Sequence, residues 1–319
     1  MQDAIGTVVT EQPKIDLLYD TLRQWCPGMK HPRFAGGHPV GITAANLGLL
    51  QQHRHMVSIK ADGTRCMAMF LRVHGKPVAV MHYRNGEFRR LNIRVADSDS
   101  LLFDGTLLDI EQMPDRLLVF DVLVLRGRLV VQQRYSQRVR IAEDLLDYIC
   151  DDVVQLKPVY KPSQMQDIVD DFDSLKNDGL IFTRDEPGTG EYDWLWKRTN
   201  CILKWKPVVT IDLYVGTGGV YWGDRGQLAP VRSLFGYTWP AQVDVGGTKG
   251  IAKGIHEFEV GIHDKQITLV HQRHRPDVTH PNDVSTVTSN MESVIDNIDF
   301  VTLQAMMGQI RVGKRVKYR

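Results

Sequence analysis

The 319-residue sequence predicts an α+β chain, an antiparallel-sheet domain decorated with helices and followed by a small β-barrel. Two observations predict it. Up to about Pro207, apolar strand-like runs are broken by turn residues and by a few amphipathic helical stretches. From about Thr210 the texture changes to TIDLYVGTGGVYWGD, HEFEVGI and KQITLVHQ, short strands between glycine-rich turns, as a small barrel requires.

The elements follow in order. A first helix over Ile15 to Trp25 stops at Pro27-Gly28. The Gly/Pro-rich HPRFAGGHPVGI comes next, then a second helix from Thr43, a residue suited to an N-cap, to Gln52. Strands are expected over Met56–Lys60, Cys66–Val73 and Pro77–Tyr83, and Asn85-Gly86 marks a hairpin before Phe88–Val95. LLFDGTLLDI and RLLVFDVLVL read as two further strands, and helical periodicity returns over Tyr135 to Cys150 and Ser163 to Leu175. DGLIFT and CILKWKP are short strands, and a last helix over Ile298 to Met307 precedes the basic tail RVGKRVKYR. There is no internal repeat.

Composition narrows the function classes. A chain 43% hydrophobic and 24% charged, without low-complexity tracts, is that of a soluble globular protein. No apolar run reaches the roughly 20 residues of a membrane helix, and the polar start MQDAIGTVVTEQPK is not a secretory signal. Cys26, Cys66, Cys150 and Cys201 form no CxxC pair, which argues against a zinc site or disulfide framework and for a reducing, intracellular setting. With a net charge of +1 the chain is no polycation, so any phosphate ligand must meet a local groove.

Several short stretches carry charge where a strand is normally apolar. In VSIKADGTR, Val57 and Ile59 deliver Lys60 into the turn Asp62-Gly63, with Arg65 just beyond. By itself this describes an exposed hairpin lysine, which is ordinary. It is followed in order by Phe103-Asp104-Gly105-Thr106, Phe120-Asp121, Asp178-Gly179-Leu180-Ile181, Lys204-Trp205-Lys206-Pro207 and Arg273-His274-Arg275-Pro276-Asp277. A lone Asp-Gly is only the commonest of turn dipeptides. The ordered set is specific.

In that order the chain resembles the covalent nucleotidyltransferases, namely the mRNA capping guanylyltransferases and the ATP-dependent polynucleotide ligases. The capping branch is the more similar: HPRFAGGHPVGI, DGLIF, LKWKP and RPDVTHPN all resemble its forms. The resemblance runs from about Pro32 to Met307. It implies an antiparallel nucleotidyltransferase domain over 1–209, an OB-fold barrel over 210–290, and a C-terminal helix and basic tail over 291–319 that packs back on the first domain.

What the resemblance implies for chemistry is specific. Lys60 maps to the nucleophile that attacks the α-phosphate of GTP, releases pyrophosphate and holds GMP as a phosphoramidate. An ordinary lysine is protonated at neutral pH, and only neighbouring cations and partial burial free its lone pair. Arg65, Lys204 and Lys206 match such cations. Asp62 and Asp104 belong to the nucleotide site, Arg65 contacts ribose, Phe120 stacks on guanine and Ile181 packs on its other face. On the expected strand Lys204 and Lys206 alternate and so face one side, toward the phosphates. Asp178 stands near the metal, Mg²⁺ or Mn²⁺. In the barrel, Asp212, Arg273, Arg275 and Asp277 match the residues that orient the pyrophosphate. GMP then passes to the 5′-diphosphate end of RNA; an RNA triphosphatase and a cap methyltransferase are the implied partners. The implied location is nucleus or cytoplasm, or a viral factory for a viral protein.

Two positions depart from the family pattern. Thr106 stands where a glutamate follows the Asp-Gly, leaving Asp104 or Asp109 to substitute, and Val278 replaces a phosphate-binding lysine. Rival readings are an ATP-dependent RNA or DNA ligase and an inactive relative that binds RNA or serves as a scaffold. FDGTLLD also looks like part of a dehalogenase-type phosphatase signature, but Leu102 occupies the place of its nucleophile. His53, His55, His271, His274 and His280 show no regular metal spacing and are expected on the surface or in turns.

Overall fold

A computed structural model describes residues 4–29, 34–96, 101–164, 167–168, 177–187, 195–239 and 251–308. The chain divides into two compact units, one drawn from Met1–Val40, Leu49–Lys204 and Met307–Arg319, the other from Gly41–Gly48 and Trp205–Met306.

The strands in chain order are β1 (Ile5–Val8), β2 (His38–Gly41), β3 (His55–Ala61), β4 (Thr64–Val73), β5 (Lys76–Tyr83), β6 (Phe88–Leu91), β7 (Thr106–Gln112), β8 (Leu117–Leu125), β9 (Arg128–Leu129), β10 (Val154–Leu156), β11 (Asn177–Arg184) and β12 (Arg198–Trp205). The helices α1 (Gln12–Trp25), α2 (Ala44–Leu47), α3 (Leu49–Gln52) and α4 (Tyr135–Leu146) interrupt them. An eight-stranded sheet runs β1-β6-β5-β4-β7-β8-β10, with β9 beside β8, and a four-stranded sheet runs β2-β12-β11-β3. Pairing in the large sheet is antiparallel apart from β10, which lies parallel to β8.

Strand β4 explains why its sequence is continuously apolar. Met67, Met69 and Leu71 point into one core with Leu18, Leu22 and Trp25 of α1. Cys66, Ala68 and Phe70 point into another with Ala142 and Leu145 of α4. A strand covered on both faces loses the apolar/polar alternation of a half-exposed one.

The second unit contains α2 and a five-stranded antiparallel sheet of β13 (Thr210–Gly216), β14 (Gly219–Asp224), β15 (Gln227–Pro230), β16 (Gly254–His263) and β17 (Gln266–His274), ordered β15-β14-β13-β16-β17. Among the described residues the sheet is an open path, with no pairing of β15 to β17 to close it. Helices α5 (Val284–Asp296) and α6 (Phe300–Gly308) follow. α5 buries Val287 and Met291 among Trp222, Phe258 and Leu269 of the sheet. The 41–48 segment joins this unit from far away in sequence. The Ala44 N–H donates to Asp296 Oδ2 (2.6 Å), and Ser293 Oγ donates to the Ile42 carbonyl (3.2 Å).

Several expectations need correction. The helix from Thr43 to Gln52 is two short ones, broken at Gly48. LLFDG is not strand: Leu101–Phe103 is a 3₁₀ turn, and β7 begins only after Gly105. Gly105 has a φ of 101°, and a Cβ there would lie 2.7 Å from the Gly127 nitrogen. The strand after the Asn85-Gly86 hairpin stops at Leu91. His55, expected on the surface, is 1% exposed. Most of Ser163 to Leu175, and the tail RVGKRVKYR, lie outside the described residues. Among the described residues, no helix is long and apolar enough to cross a membrane.

Candidate active site

Lys60 owes its position to two paired strands. On β3, Val57 and Ile59 are buried on one face, so Lys60 and Ser58 take the other. β11 runs antiparallel beside it, with Asn177 opposite Ala61 and Leu180 opposite Ile59. Two residues, Asp178 and Gly179, therefore share the place opposite Lys60, which is a β-bulge. Gly179 adopts a φ of 121°, open to glycine and strained for other residues. The bulge aims the Asp178 carboxylate at the Lys60 amine, and the two form a hydrogen-bonded ion pair with about a quarter of each side chain exposed. Ile181 pairs with Ser58 and so shares the face of Lys60. The Asp-Gly of DGLI is thus a strand irregularity rather than a turn. Gly63, in the turn between β3 and β4, is needed for room, since a Cβ there would lie 2.7 Å from the Gln112 carbonyl. Asp62, beside it, is exposed.

Arg65 forms the second focus. Its Nε and Nη2 donate to the two carboxylate oxygens of Asp109 (2.8 and 2.5 Å), and Nη1 donates to the Gly37 carbonyl (2.7 Å). Burial opposes the guanidinium charge, but Asp109, helped by Glu111 and Asp121, more than offsets it and holds Arg65 above its ordinary range. Gly36 makes the approach possible: a Cβ there would sit 2.4 Å from Arg65 Nη2 and 2.9 Å from Asp109 Oδ2. This close approach accounts for Gly36, the first glycine of the Gly-Gly in HPRFAGGHPVGI.

Arg65 also lies between two rings, with Cζ 5.4 Å from the Phe34 centroid and 5.5 Å from that of Phe120. On Phe120 sits a further cation, Lys157, whose Nζ is 5.3 Å from the same centroid. Lys157 is 6% exposed. Burial pushes its ammonium down to about 8; Glu111 pulls the other way, and Lys60 and Arg65 add to the push. Burial in turn lifts the Glu111 carboxyl, against Lys157, Lys60 and Arg65. These mutual effects place Lys60, Arg65, Glu111 and Lys157 in one electrostatic neighbourhood. Lys157, Glu111 and Phe34 were not singled out from sequence. The one signal for Lys157 was local, since QLKPVYKP repeats the lysine-proline ending of LKWKP.

The remaining expected residues separate. Thr106 pairs with Phe70 and is wholly buried, its Oγ1 without a partner among the described residues. Alternation along β7 puts Asp109 and Glu111 on the opposite face, beside Arg65. Asp104 instead lies 3.5 Å from Arg72, seven residues along β4 from Arg65, or about 20 Å away. Of the two carboxylates that could substitute for the missing glutamate, Asp109 is the one at this site. Asp121 is structural: it takes a bidentate bond from Arg138 of α4 (2.7 and 2.9 Å), and both side chains are buried. Lys204 stands half-buried on β12, in the same sheet as Lys60. Lys206 falls one residue beyond the strand, within the second unit.

A separate charged cluster lies in the second unit. Asp212, Glu257 and Arg273 are in register across β13, β16 and β17. Arg273 Nε donates to Glu257 (2.7 Å). Arg275 donates to Asp277 (3.0 Å) and Asp212 (3.2 Å) and lies 3.7 Å from Glu257. The bond from Arg275 holds the Asp277 carboxyl below its usual range. Asn282 locks the cluster to the sheet: its Oδ1 accepts from the Asp212 N–H, and its N–H donates to the Asp212 carbonyl (2.9 and 2.8 Å). Sequence reading had brought Asp212, Arg273, Arg275 and Asp277 together and had missed Glu257 and Asn282.

No group of three or more His, Cys, Asp or Glu among the described residues is arranged to hold a metal ion. A cation carried in on phosphates needs fewer ligands, since Mg²⁺ commonly takes one or two carboxylates and completes its shell with phosphate and water. The hard oxygens of Asp178 fit that mode.

The family model of the mRNA capping enzyme, catalytic domain, matches residues 2–208, and the chain belongs to that family. An mRNA-capping enzyme of Danio rerio is 29% identical over 143 residues, 42% of this chain and 24% of that protein. One of Mus musculus is 30% identical over 145 residues, 43% and 24% respectively. The chain thus spans about a quarter of the length of the curated relatives it matches. Among solved structures, a mycobacterial DNA ligase D complexed with ATP and MES aligns over 77% of this chain and 95% of that one. Its TM-score is 0.41 and its identity 19%, too loose a likeness to argue from.

Proposed function

We propose that the chain is a GTP:RNA guanylyltransferase that carries GMP on Lys60 and passes it to the 5′-diphosphate end of RNA. The observation that carries this reading is the β11 bulge, which spends a glycine and a ladder position to hold a carboxylate against one lysine. In the first step the Lys60 Nζ lone pair forms an N–P bond at the α-phosphorus. The α–β bridging P–O bond breaks, and pyrophosphate leaves with the electron pair. Attack requires the neutral amine, so the proton leaves before or with bond formation. In the second step a terminal phosphate oxygen of the RNA displaces Lys60 from the same phosphorus.

Base choice is the finer part of the proposal. Phe120 offers a stacking face, and Lys157 brings a donor to it. Guanine presents an acceptor at O6, where adenine presents an amino donor. An ammonium therefore favours GTP and opposes ATP, which separates this reading from that of a ligase. Arg65 is proposed to contact the ribose. In the second unit, Asp212, Arg273, Arg275 and Asp277 are proposed to orient the leaving pyrophosphate, on a sheet we take as an OB-type barrel. A divalent cation, Mg²⁺ or Mn²⁺, would be held by Asp178 and would offset phosphate charge. An RNA triphosphatase activity must supply the diphosphate end, and a cap methyltransferase would consume the product, in the nucleus or cytoplasm.

The test is adduct formation. Incubated with GTP labelled at the α-phosphate and a divalent cation, the protein should retain acid-labile label through denaturation, and Lys60→Ala should retain none. An AMP adduct in preference to GMP would favour the ligase reading, and no adduct with either nucleotide would remove both.

A further inference from the structure

Cations and aromatic rings alternate beyond the guanine site. From Lys157 the series runs through Phe120 and Arg65 to Phe34, and on Phe34 lies a further guanidinium, Arg84, its Cζ 5.6 Å from the ring centroid. Arg84 Nη2 donates to His38 Nδ1 (2.9 Å). His38 is therefore neutral, with its remaining proton on Nε2. Its own backbone N–H donates to the Lys197 carbonyl (2.7 Å), bringing Lys197 and Arg198 alongside.

Charge balance sets this end apart. Arg65, Arg138 and Arg275 each hold a carboxylate. Arg84 is exposed, and among the described residues its one side-chain acceptor is an uncharged imidazole. Burial first, and then the charges of Arg84, Arg65 and Arg198, together lower His38 to about 4. Asp109 and Glu111 act on Arg84 from nearby but neither bonds it among the described residues, while the charges that act on His38 are the cations Arg84, Arg65 and Arg198, so this end of the series is positive. A guanidinium with open donors in such a field suits a phosphate with two or more oxygens.

We infer that Arg84 and His38 form the acceptor subsite, holding the terminal diphosphate of the incoming RNA 5′ end beside the nucleotide on Lys60. The inference rests on the guanylyltransferase reading for its placement. Phe34, 7% exposed, does not stack on RNA; it spaces the two guanidiniums so that one serves the nucleotide and the other the acceptor.

The test is a binding measurement on the full chain without divalent cation, using a short 3′-labelled oligoribonucleotide that ends in either a 5′-diphosphate or a 5′-hydroxyl. Two charge-assisted bonds predict that the wild type prefers the diphosphate end by about tenfold or more. Arg84→Ala should bring the two ends within about twofold, and Arg84→Lys should keep part of the preference. Equal binding of both ends by the wild type, or an undiminished preference in Arg84→Ala, overturns the subsite. So does loss of the preference under saturating GTP, which would place the diphosphate in the nucleotide site instead. Adduct formation measured on the same preparation reports on Lys60 independently, so the two readings fail separately.

Discussion

Lys157 is a charged group placed where burial opposes its charge. Its ammonium titrates near 8 in the folded chain against 10.5 ordinarily, so between those values the unfolded state binds more protons. Stability contributed at this position is lowest below pH 8 and rises as pH climbs toward 10.5. Denaturant titrations of wild type and Lys157→Met should therefore diverge in the wild type's favour from pH 8 to 9.5, and a pH-independent gap would refute the assignment. On function, Lys157→Met should lower GMP-adduct formation about tenfold or more and leave the trace reaction with ATP nearly unchanged, as expected when one base-specific donor is lost. Arg138 makes the contrasting case. Its pairing with Asp121 serves docking, and Arg138→Ala should cost about 3–5 kcal/mol in thermal or denaturant unfolding by leaving a buried carboxylate without its cation, with the Val122 N–H still donating to it.

Elements decide how much of this was legible in the sequence. Lys60, Asp178 and Arg65 lie in strands whose pattern is plain, and the 3-residue lag between Asn177 and Leu180 against a 2-residue lag on β3 is what turns Asp-Gly into a bulge. No sequence pattern reveals such a lag, because Asp-Gly is equally at home in a turn. Gly179→Ala should cost about 1–3 kcal/mol in backbone strain and cut adduct formation more deeply than stability, by turning Asp178 away from Lys60. An alanine variant with wild-type adduct yield would show that the bulge is incidental. Helix α5 was missed for another reason: its sequence, VSTVTSNMESVID, is rich in β-branched and serine residues of weak helix propensity. Asp283, accepting from the Ser285 N–H (3.0 Å), and burial of Val287 and Met291 override it. Lys157 and Glu111 stayed hidden because each looks like an ordinary strand-end charge until β7, β8 and β10 are paired.

At the scale of the whole molecule, the two units keep separate cores. Phe258 is wholly buried in the second, and Phe258→Ala should cost about 3–5 kcal/mol there. Hydrogen exchange should then show β13, β16 and β17 losing protection while β4, β7 and β8 retain theirs. Uniform loss across both groups would mean that the units unfold as one. The short 41–48 segment adds a matter of timing. Ala44 waits for Asp296, 252 residues further along the chain. At roughly 5–20 residues per second of synthesis, that is on the order of 10–50 seconds during which the segment has left the ribosome without its partner. The strands that carry Lys60, Arg65 and Asp178 can pair while the second unit still lacks the helix that receives this segment, so a nascent chain would acquire the lysine pocket well before the Arg275 cluster.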